Sequence, residues 1–450
     1  MSNSENLKIT VSGVRGIVGD TLTPELLVNF SQAFGTYLKG GRVILGRDTR
    51  PTGHMVKHCV LSGLISSGCN VTDIDICATP TVLMMVKMMK AAGGIIITAS
   101  HNPVQWNALK FVNSEGVFLT ETEIQKVIDI YTSKNFDISG WKKLGRVETF
   151  SKANELHIDK VLEYVDIKKI RNAKFKVALD CVNGAGSVMT PLMLKKLGCS
   201  MVAINMTPDG IFPHTPEPVP ENLKNLCKLV KSKKADIGFA QDPDADRLAI
   251  IDENGNPIGE EYTLAVVIDY ILGKKKGSTV VLNLSTSRAS EEAAKRHGAV
   301  VIRTKVGEAN VVDGMKKHKA LIGGEGNGGV IFPSVNFGRD SFVGIALVLQ
   351  YMAETKKTLS EIVLGLPQYK IVKTKIELPK SKIEIALKTV KEKYKNDKIT
   401  TLDGIKIDWK DSWAHIRASN TEPIIRIMAE AKTTEEASNI CSKIRQEIIV

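Results

Sequence analysis

Three aspartates at alternate positions form a dense cluster of reactive side chains in this 450-residue sequence. Asp242, Asp244 and Asp246 follow an apolar stretch that begins at Ile237. Alternate carboxylates in a turn can point at one centre, and their hard oxygen ligands favour Mg²⁺ or Ca²⁺ over softer metals. A merely solvated turn is a poorer interpretation, because carboxylates packed this closely repel one another. The cluster therefore predicts a metal site that takes further oxygen ligands from elsewhere.

An EF-hand is the obvious competing interpretation, because Glu253 occupies the twelfth position counted from Asp242. The surrounding sequence argues against it. Arg247 stands where an EF-hand needs its turn glycine, and apolar strands flank the loop where an EF-hand needs helices. We therefore expect a metal site at the end of a strand.

A second loop, Thr98–Pro103, presents Ser100 directly after an apolar run. A Ser–His hydrolase is a poor interpretation, because no G-x-S-x-G elbow is present and the sequence does not place the adjacent His101 as the base. Ser100 could instead supply an oxygen to the aspartate site. Beside a bound metal, phosphoryl chemistry becomes attractive, since the metal would offset charge on a serine phosphate. An ordinary serine-rich turn remains the alternative.

Two further loops carry groups suited to a polar, phosphorylated ligand. Five glycines between Gly323 and Gly329 surround Glu325 and Asn327, so the backbone can approach a ligand while one carboxylate and one amide contact its hydroxyls. A plain tight turn is the alternative there. Near the C terminus, a turn combines arginines with short hydrogen-bonding side chains, which is typical of a phosphate cradle. Its members are Arg417, Ser419, Asn420, Thr421 and Arg426.

Short apolar runs alternate with longer amphipathic segments along most of the chain, as in Arg42–Leu45, Met55–Ser67 and Val71–Ile76. This alternation favours βαβ units and mixed, mostly parallel sheets. The pattern restarts at Lys176 and at Thr279, which predicts three similar α/β domains followed by a smaller α+β domain. We place the serine loop in domain 1–150, the aspartate loop in 151–254, the glycine loop in 255–366 and the arginine loop in 367–450.

The charge of the chain leaves three classes of partner to weigh. Lys and Arg outnumber Asp and Glu by 61 to 49, for a formal charge of +12, which suits nucleic acid, an anionic membrane surface or an anionic small molecule. The lysines are spread without interleaved aromatics, and the apolar runs are interrupted before they could span a bilayer. The seven cysteines lack a C-x-x-C pair, and no leader is recognisable. We expect a cytoplasmic monomer or homodimer with no nucleic-acid or membrane partner.

Taken in order, these loops resemble the motifs of the α-D-phosphohexomutase superfamily. Thr98–Pro103 resembles its phosphoserine motif, and Asp242–Arg247 resembles its Mg²⁺ motif. Ser12–Gly16 is similar to the N-terminal motif whose arginine borders the phosphoserine, and Arg47–Arg50 also fits. The resemblance implies three similar α/β domains and a last domain of the TATA-binding-protein-like α+β type, all around a central cleft.

The resemblance also implies an isomerase mechanism. Phospho-Ser100 would donate its phosphoryl group to a hexose 1- or 6-phosphate, the bound 1,6-bisphosphate would turn over, and the other phosphate would return to Ser100. Hexose 1,6-bisphosphate would then act as an activator. The implied site residues are Ser100, His101, Arg15 and Lys110 for catalysis; Ser100, Asp242, Asp244 and Asp246 for Mg²⁺; Arg247, Lys305, Glu325 and Asn327 for the substrate; and Arg417, Ser419, Asn420, Thr421 and Arg426 for the phosphate.

The chain departs from the family pattern at a few positions. Asn327 and Gly329 stand where many relatives have Ser and His, a variant that resembles archaeal-type members, and Ala108 replaces a usual glycine. A base role for that histidine therefore does not carry over. The loop Glu325–Gly329 resembles that of phosphoglucosamine mutases within the family, which favours this activity. Phosphoglucomutase/phosphomannomutase is the alternative. A non-catalytic phosphosugar-binding protein and a metal-dependent phosphohydrolase are the other classes, and the intact Ser100 and Lys110 argue against the former.

Overall fold

The computed structural model describes residues 6–11, 13–419 and 424–449. The chain forms two compact units. The first comprises Met1–Thr263 and Gly328–Ile362, and the second comprises Leu264–Asn327 and Val363–Val450. Three residues of the sequence motifs, Ser12, Asn420 and Thr421, lie outside the described residues. Across the described ranges, no helix is both long enough and apolar enough to cross a membrane.

The first unit opens with a seven-stranded sheet. Its strands are β1 (Lys8–Thr10), β2 (Gly13–Ile17), β3 (Gly41–Arg47), β4 (Cys69–Ile76), β5 (Gly93–Ile97), β6 (Trp106–Asn113) and β7 (Val147–Thr149), and the associated helices are α1 (Pro24–Leu38), α2 (Gly53–Ser66), α3 (Thr79–Met88) and α4 (Glu121–Ser133). The strand order is β1-β2-β6-β5-β3-β4-β7. Strands β5, β3, β4 and β7 are parallel, whereas the β1, β2 and β6 pairs are antiparallel.

The central strands of this sheet are apolar at consecutive positions because both of their faces are covered. Leu45 and Ile95 pack into one core with α1, α2 and α4. Their neighbours Ile44 and Ile96 point to the opposite face and pack into a second core with α3. Successive side chains of a strand alternate between faces, so a sheet buried on both sides requires continuous apolar runs.

A second, four-stranded sheet completes most of the first unit. Its elements are α5 (Ala153–Leu162), α6 (Ile167–Ala173), β8 (Lys176–Asp180), α7 (Gly186–Lys196), β9 (Ser200–Ile204), α8 (Lys224–Lys233), β10 (Ile237–Gln241) and β11 (Leu248–Ile251). The order is β11-β10-β8-β9. Only β11 is antiparallel to its neighbour. The aspartate loop is thus the connection between β10 and its antiparallel edge strand.

The second unit combines a parallel and an antiparallel sheet. After α9 (Glu260–Lys274), the elements are β12 (Thr279–Asn283), α10 (Arg288–Lys295), β13 (Val300–Thr304), α11 (Glu308–His318) and β14 (Ile322–Glu325). Strands β13, β12 and β14 pair in parallel. Next along the chain, β15 (Gly329–Ile331) and α12 (Ser341–Thr355) belong to the first unit, and α13 (Leu359–Leu364) follows.

The C-terminal part of the second unit is antiparallel throughout. Its elements are β16 (Lys370–Glu377), α14 (Lys380–Lys393), β17 (Lys398–Thr400), β18 (Ile405–Asp408), β19 (Trp413–Ala418), β20 (Ile424–Ala431) and α15 (Thr434–Ile449). The strand order is β16-β20-β19-β18-β17. Alternate residues such as Ile405, Ile407, Ala414 and Ile416 face the core shared with α14 and α15. The other face of this sheet carries Lys406, His415 and Arg417, together with the buried Trp413.

The predicted fold class is confirmed: three blocks of mostly parallel strands and helices precede a smaller α+β block. The main difference lies at helix ends. The amphipathic segment that the sequence places at Met55–Ser67 corresponds to α2, which begins two residues earlier, at Gly53. Apolar spacing gives no signal for residues in the first turn of a helix that are not apolar.

A buried polar cluster joins three helices of the first unit. His157 of α5 contacts Thr81 of α3 through Nδ1 at 2.8 Å and Asp340 through Nε2 at 2.8 Å. Asp340 also caps α12 by accepting from two backbone N–H groups of its first turn. Because all three side chains are fully buried, the start of α12 is fixed relative to α3 and α5. That start contacts the aspartate loop.

Candidate active site

Ser100 lies on a sharply turned loop directly after β5. Its backbone has φ of 49°, a left-handed conformation that L-residues with a side chain seldom adopt. The hydroxyl Oγ donates to Asp242 Oδ2 at 3.0 Å and lies 3.3 Å from His101 Nδ1. The sequence analysis proposes that Ser100 could supply an oxygen to the aspartate site. The structure brings the serine and aspartate loops together, as that hypothesis requires.

A buried arginine holds the serine loop in this shape. Arg50 is fully buried, and its Nε donates to Asp48 Oδ2 at 3.1 Å. Its four remaining N–H groups donate to backbone carbonyl oxygens at 2.6 to 2.9 Å, those of Ser100, Asn102, Pro103 and Trp106. Asp48 also accepts from the Thr98 hydroxyl at 2.6 Å. All five donors of the guanidinium are therefore used, which fixes the loop backbone.

The three aspartates converge as the sequence predicted. Asp242, Asp244 and Asp246 are each fully buried, and one carboxylate oxygen from each lies within 4.8 Å of the others. Asp242 Oδ1 accepts from the backbone N–H groups of Asp246 and Arg247. The loop therefore closes on its first aspartate, which turns the other two carboxylates toward the same centre.

Two of the carboxylates are matched to cations from distant parts of the chain. Lys110 of β6 donates to Asp244 Oδ2 at 2.8 Å, and the Thr79 hydroxyl donates to the same oxygen at 2.7 Å. Arg339 donates to Asp246 Oδ2 at 2.5 Å. Arg339 was not singled out from the sequence, because nothing in its local pattern names a partner 93 residues away.

The charges of the cluster show why it suits a cation. Burial, together with the nearby Asp246 and Asp244, raises the pKa of Asp242 well above its usual range. Burial alone would do the same to Asp244, but Lys110 holds the pKa of that carboxyl well below its usual range. In the described part of the chain, the Oδ1 atoms of Asp244 and Asp246 are buried without a hydrogen-bond partner. These orphaned acceptors and the hard oxygen donor set fit a Mg²⁺ ion.

The start of α12 braces the aspartate loop from behind. The Ser341 hydroxyl donates to the carbonyl oxygen of Ala245 at 2.6 Å and accepts from Gln241 Nε2 at 2.6 Å. Ala245 has φ of 51°, so the loop backbone is left-handed where Ser341 holds it. Asp340 before an apolar run is a helix N-cap signal that the sequence could have given. It would have located the helix but not its contact with the loop.

Three more predicted residues lie in the first unit near the serine loop. Arg15 of β2 donates through Nη1 to Asn102 Oδ1 at 2.8 Å. Arg247 Nη1 lies 3.5 Å from Glu217 Oε1. Burial, with the charges of Arg247 and Arg15, lowers the pKa of His101 to about 2, so its imidazole is neutral. The positive charge beside His101 therefore comes from arginines and not from a protonated histidine.

The other predicted residues lie in the second unit. Glu325, at the end of β14, accepts from Asn283 Nδ2 at 2.8 Å and from the Gly307 N–H at 3.0 Å. Lys305 is exposed just after β13. Asn327 Oδ1 is buried and, within the described ranges, has no hydrogen-bond partner. The glycine loop thus holds one carboxylate in place and offers one amide oxygen as an acceptor.

The arginines of the C-terminal loop stand opposite one another on neighbouring strands. Arg417 of β19 pairs in register with Arg426 of β20, and Ser419 directly follows β19. Arg417 Nε lies 3.0 Å from Asp403 Oδ2, which also accepts from the Val306 N–H at 2.9 Å. Asp403 therefore links this strand to the loop that carries Lys305.

Comparison with known proteins decides the family. Models of four phosphoglucomutase/phosphomannomutase domains match in sequence: α/β/α domain I at residues 6–137, domain II at 155–255, domain III at 259–369 and the C-terminal domain at 374–447. A Thermococcus kodakarensis protein named phosphoglucomutase/phosphomannomutase is 42% identical over 434 residues, 94% of each chain. The chain belongs to the phosphoglucomutase/phosphomannomutase family. The resemblance to α-D-phosphohexomutases is thereby confirmed.

Other members of this family show the same extent of likeness. A Methanopyrus kandleri protein named probable phosphoglucosamine mutase is 35% identical over 435 residues, 95% of each chain. A crystal structure of a phosphoglucomutase/phosphomannomutase family protein from Burkholderia thailandensis has a TM-score of 0.87 at 23% identity, covering 100% of this chain and 98% of that one. That structure establishes the shared four-domain fold. The chain is accordingly an isomerase of the phosphohexomutase class.

Mg²⁺ should raise the melting temperature of the wild-type protein, because an ion that binds only the folded state stabilises it. Asp244→Asn or Asp246→Asn removes one anionic ligand and should weaken the apparent Mg²⁺ affinity by at least about tenfold. Thermal unfolding across a Mg²⁺ titration measures this. Glu253→Gln is the matched control, since Glu253 would be a ligand only if the loop were an EF-hand. This variant should leave the Mg²⁺-dependent rise in melting temperature unchanged. A shift lost in Glu253→Gln and kept in the aspartate variants would refute the assigned ligands.

Arg339→Met should lower stability without metal and enlarge the stabilisation by Mg²⁺. The substitution leaves Asp246 as a buried charge, which costs roughly 3–5 kcal/mol, and it removes a positive charge that opposes a dication. Denaturant unfolding with and without Mg²⁺ gives both quantities, and Arg339→Lys, which keeps the charge, is the control. A smaller Mg²⁺ stabilisation in Arg339→Met than in wild type would mean that Arg339 organises the site and does not act as a counter-charge.

Proposed function

We propose that this protein interconverts hexose 6-phosphates and hexose 1-phosphates through phospho-Ser100 and a bound hexose 1,6-bisphosphate. The observation that carries the proposal is the contact between Ser100 Oγ and Asp242 at 3.0 Å, at the edge of a fully buried aspartate cluster. A serine that serves only in a turn has no need of such a neighbour. Hexose 1,6-bisphosphate would also load an unphosphorylated Ser100, and so act as activator.

Each transfer would exchange one oxygen–phosphorus bond for another. The bond between phosphorus and Ser100 Oγ would break as a sugar hydroxyl bonds to phosphorus and loses its proton, and Ser100 Oγ would gain a proton to become a hydroxyl; the return transfer reverses these changes. His101 Nδ1 lies 3.3 Å from Ser100 Oγ, so its neutral imidazole would position that oxygen by a hydrogen bond. Arg15 and Lys110 would stabilise the equatorial oxygens of the transferring group. The loop fixed by Arg50 presents Oγ in one position, which favours in-line transfer.

Ser100 and the three aspartates would hold the Mg²⁺ ion. When bound, Mg²⁺ would offset the negative charge that gathers at the transferring phosphoryl group. Lys110 would contribute to the same neutralisation, and its ion pair with Asp244 at 2.8 Å keeps the ammonium group beside the cluster. The aspartates would therefore position both the metal and the lysine.

Recognition of the sugar and of the non-reacting phosphate would depend on the other predicted groups. Glu325 and Asn327, with Lys305 and Arg247, would contact the sugar. The fixed carboxylate of Glu325 and the unpaired Asn327 Oδ1 are both acceptors, which suits hydroxyl or ammonium donors. The non-reacting phosphate would be bound by Arg417, Ser419, Asn420, Thr421 and Arg426, a set for which the register of Arg417 opposite Arg426 is the support.

We propose glucosamine 6-phosphate as the preferred substrate. An ammonium group at C2 would suit two acceptors, Glu325 and Asn327, in a loop that lacks the imidazole carried by many relatives. Glucose and mannose phosphates are the second candidates, supported by the name of the relative that is 42% identical.

The seven free cysteines support a cytoplasmic location, and we propose a monomer or homodimer that requires neither nucleic acid nor a membrane.

Ser100→Ala should abolish turnover while leaving phosphosugar binding intact. Wild-type protein incubated with glucose 1,6-bisphosphate should gain the mass of one phosphoryl group at Ser100, measured by intact mass and peptide mapping. Ser100→Ala should gain none. Ser62→Ala, which alters an exposed serine on α2, should behave as wild type. A wild-type protein that never carries phosphate on Ser100, or a Ser100→Ala variant with full turnover, would exclude the proposed mechanism.

Parallel assays with glucosamine, glucose and mannose 6-phosphates should give the highest kcat/KM for glucosamine 6-phosphate. Asn327→Ala should lower that preference, because one acceptor for the ammonium is lost. The products decide the reaction class: a mutase releases the 1-phosphate isomer, whereas a phosphohydrolase releases inorganic phosphate, and a binding protein releases neither. Equal or higher kcat/KM for glucose 6-phosphate would instead favour phosphoglucomutase as the activity.

A further inference from the structure

A charged cavity lies within the second unit, apart from the residues proposed for the substrate. It has a volume of about 570 Å³ and is bounded by α10, β13, β17 and β18 and by the turn between β18 and β19. None of its lining residues is among those proposed above to bind sugar, metal or phosphate. The volume is in the range of small-ligand sites, which run from roughly 300 to 1,000 Å³.

The walls of this crevice carry more cations than carboxylates. Six lining residues are basic, and three, Glu291, Glu292 and Asp408, are acidic. The basic residues are Arg288, Lys295, Arg303, Lys398, Lys406 and Lys410. The excess of positive charge makes the interior favourable for an anion.

Two of the carboxylates are each shared between two cations. Glu291 accepts from Lys295 at 2.6 Å and from Arg303 at 2.7 Å. Asp408 lies 3.2 Å from Lys406 Nζ and 3.7 Å from an Arg288 nitrogen. Neither carboxylate can neutralise both of its partners, so positive charge remains uncompensated inside the crevice.

Lys406 is a buried cation in the wall of the crevice. Its side chain is almost fully buried, and Nζ lies 5.0 Å from the ring centroid of the buried Trp413. Burial and the nearby Arg303 lower the pKa of Lys406 to about 8, so the ammonium group is held at a cost. A bound anion would supply the charge that Asp408 alone does not.

We propose that this crevice is a second anion site, which binds a phosphate group beside Lys406, Lys398 and Lys410. The phosphate is either inorganic phosphate or part of a small phosphorylated metabolite. Charge-assisted hydrogen bonds from ammonium groups give such sites their affinity. The inference stands independently of the proposed reaction, because no residue of that reaction lines the crevice.

Isothermal titration calorimetry of the full chain with inorganic phosphate, and separately with glycerol 3-phosphate, tests the site. Lys406→Met should weaken one class of binding by tenfold or more, since a buried charge-assisted contact is lost. Lys398→Gln and Lys410→Gln alter exposed positions and should each weaken it several-fold. Lys388→Gln, on an exposed face of α14, is the matched control and should have no effect. Arg417→Met, on the proposed substrate-phosphate loop, should leave this class of binding in place.

Unchanged phosphate binding in Lys406→Met, Lys398→Gln and Lys410→Gln would overturn the proposal. If Lys406→Met fails to fold by circular dichroism, the two exposed variants decide it. Equal binding of both probes identifies the phosphate group as the recognised feature, and binding of glycerol 3-phosphate alone identifies a metabolite. If only Arg417→Met abolishes binding, the crevice holds no anion and the proposal fails, whereas the proposed mutase site is supported.

Discussion

Mutual repulsion among three buried carboxylates is the constraint on which the first unit depends. Asp242, Asp244 and Asp246 share one small volume that is shielded from solvent. Each is matched by a group from another element: a serine hydroxyl after β5, a lysine on β6 and an arginine before α12. The cluster is tolerable only when all of these elements are in place. Assembly of the charged site therefore depends on the serine loop, β6 and the start of α12 being in place together.

In the serine loop, a strained backbone and a buried ion pair stabilise each other. A left-handed backbone at Ser100 is unfavourable in isolation, and the Arg50–Asp48 pair would be costly to bury alone. Each offsets the cost of the other, because the strained loop turns its carbonyl oxygens toward the buried guanidinium, which donates to four of them. The result is a fixed loop that carries Ser100, built from two features that are each unfavourable separately.

Local spacing was enough to predict the groups that share one loop, such as the alternating aspartates and the residues beside Ser100. The alternation of strands and helices was likewise legible, since periodicity is a local property. Arg339 could not be found this way, because its link to Asp246 depends on where α12 is anchored by Asp340 and His157. Arg50 was visible in its motif, but its four carbonyl partners emerge only after the chain has turned.

The arrangement of donors around Arg50 leaves the serine loop no way to loosen by degrees. If one carbonyl oxygen moves away, a buried N–H of Arg50 is left without an acceptor, which costs about 1–3 kcal/mol. All of these hydrogen bonds come from one rigid, planar guanidinium group. The loop and the guanidinium therefore move as one body. In the proposed reaction two transfers need opposite ends of the sugar at the same oxygen. In that reaction a fixed Ser100 would leave the reorientation between the two transfers to the bisphosphate intermediate.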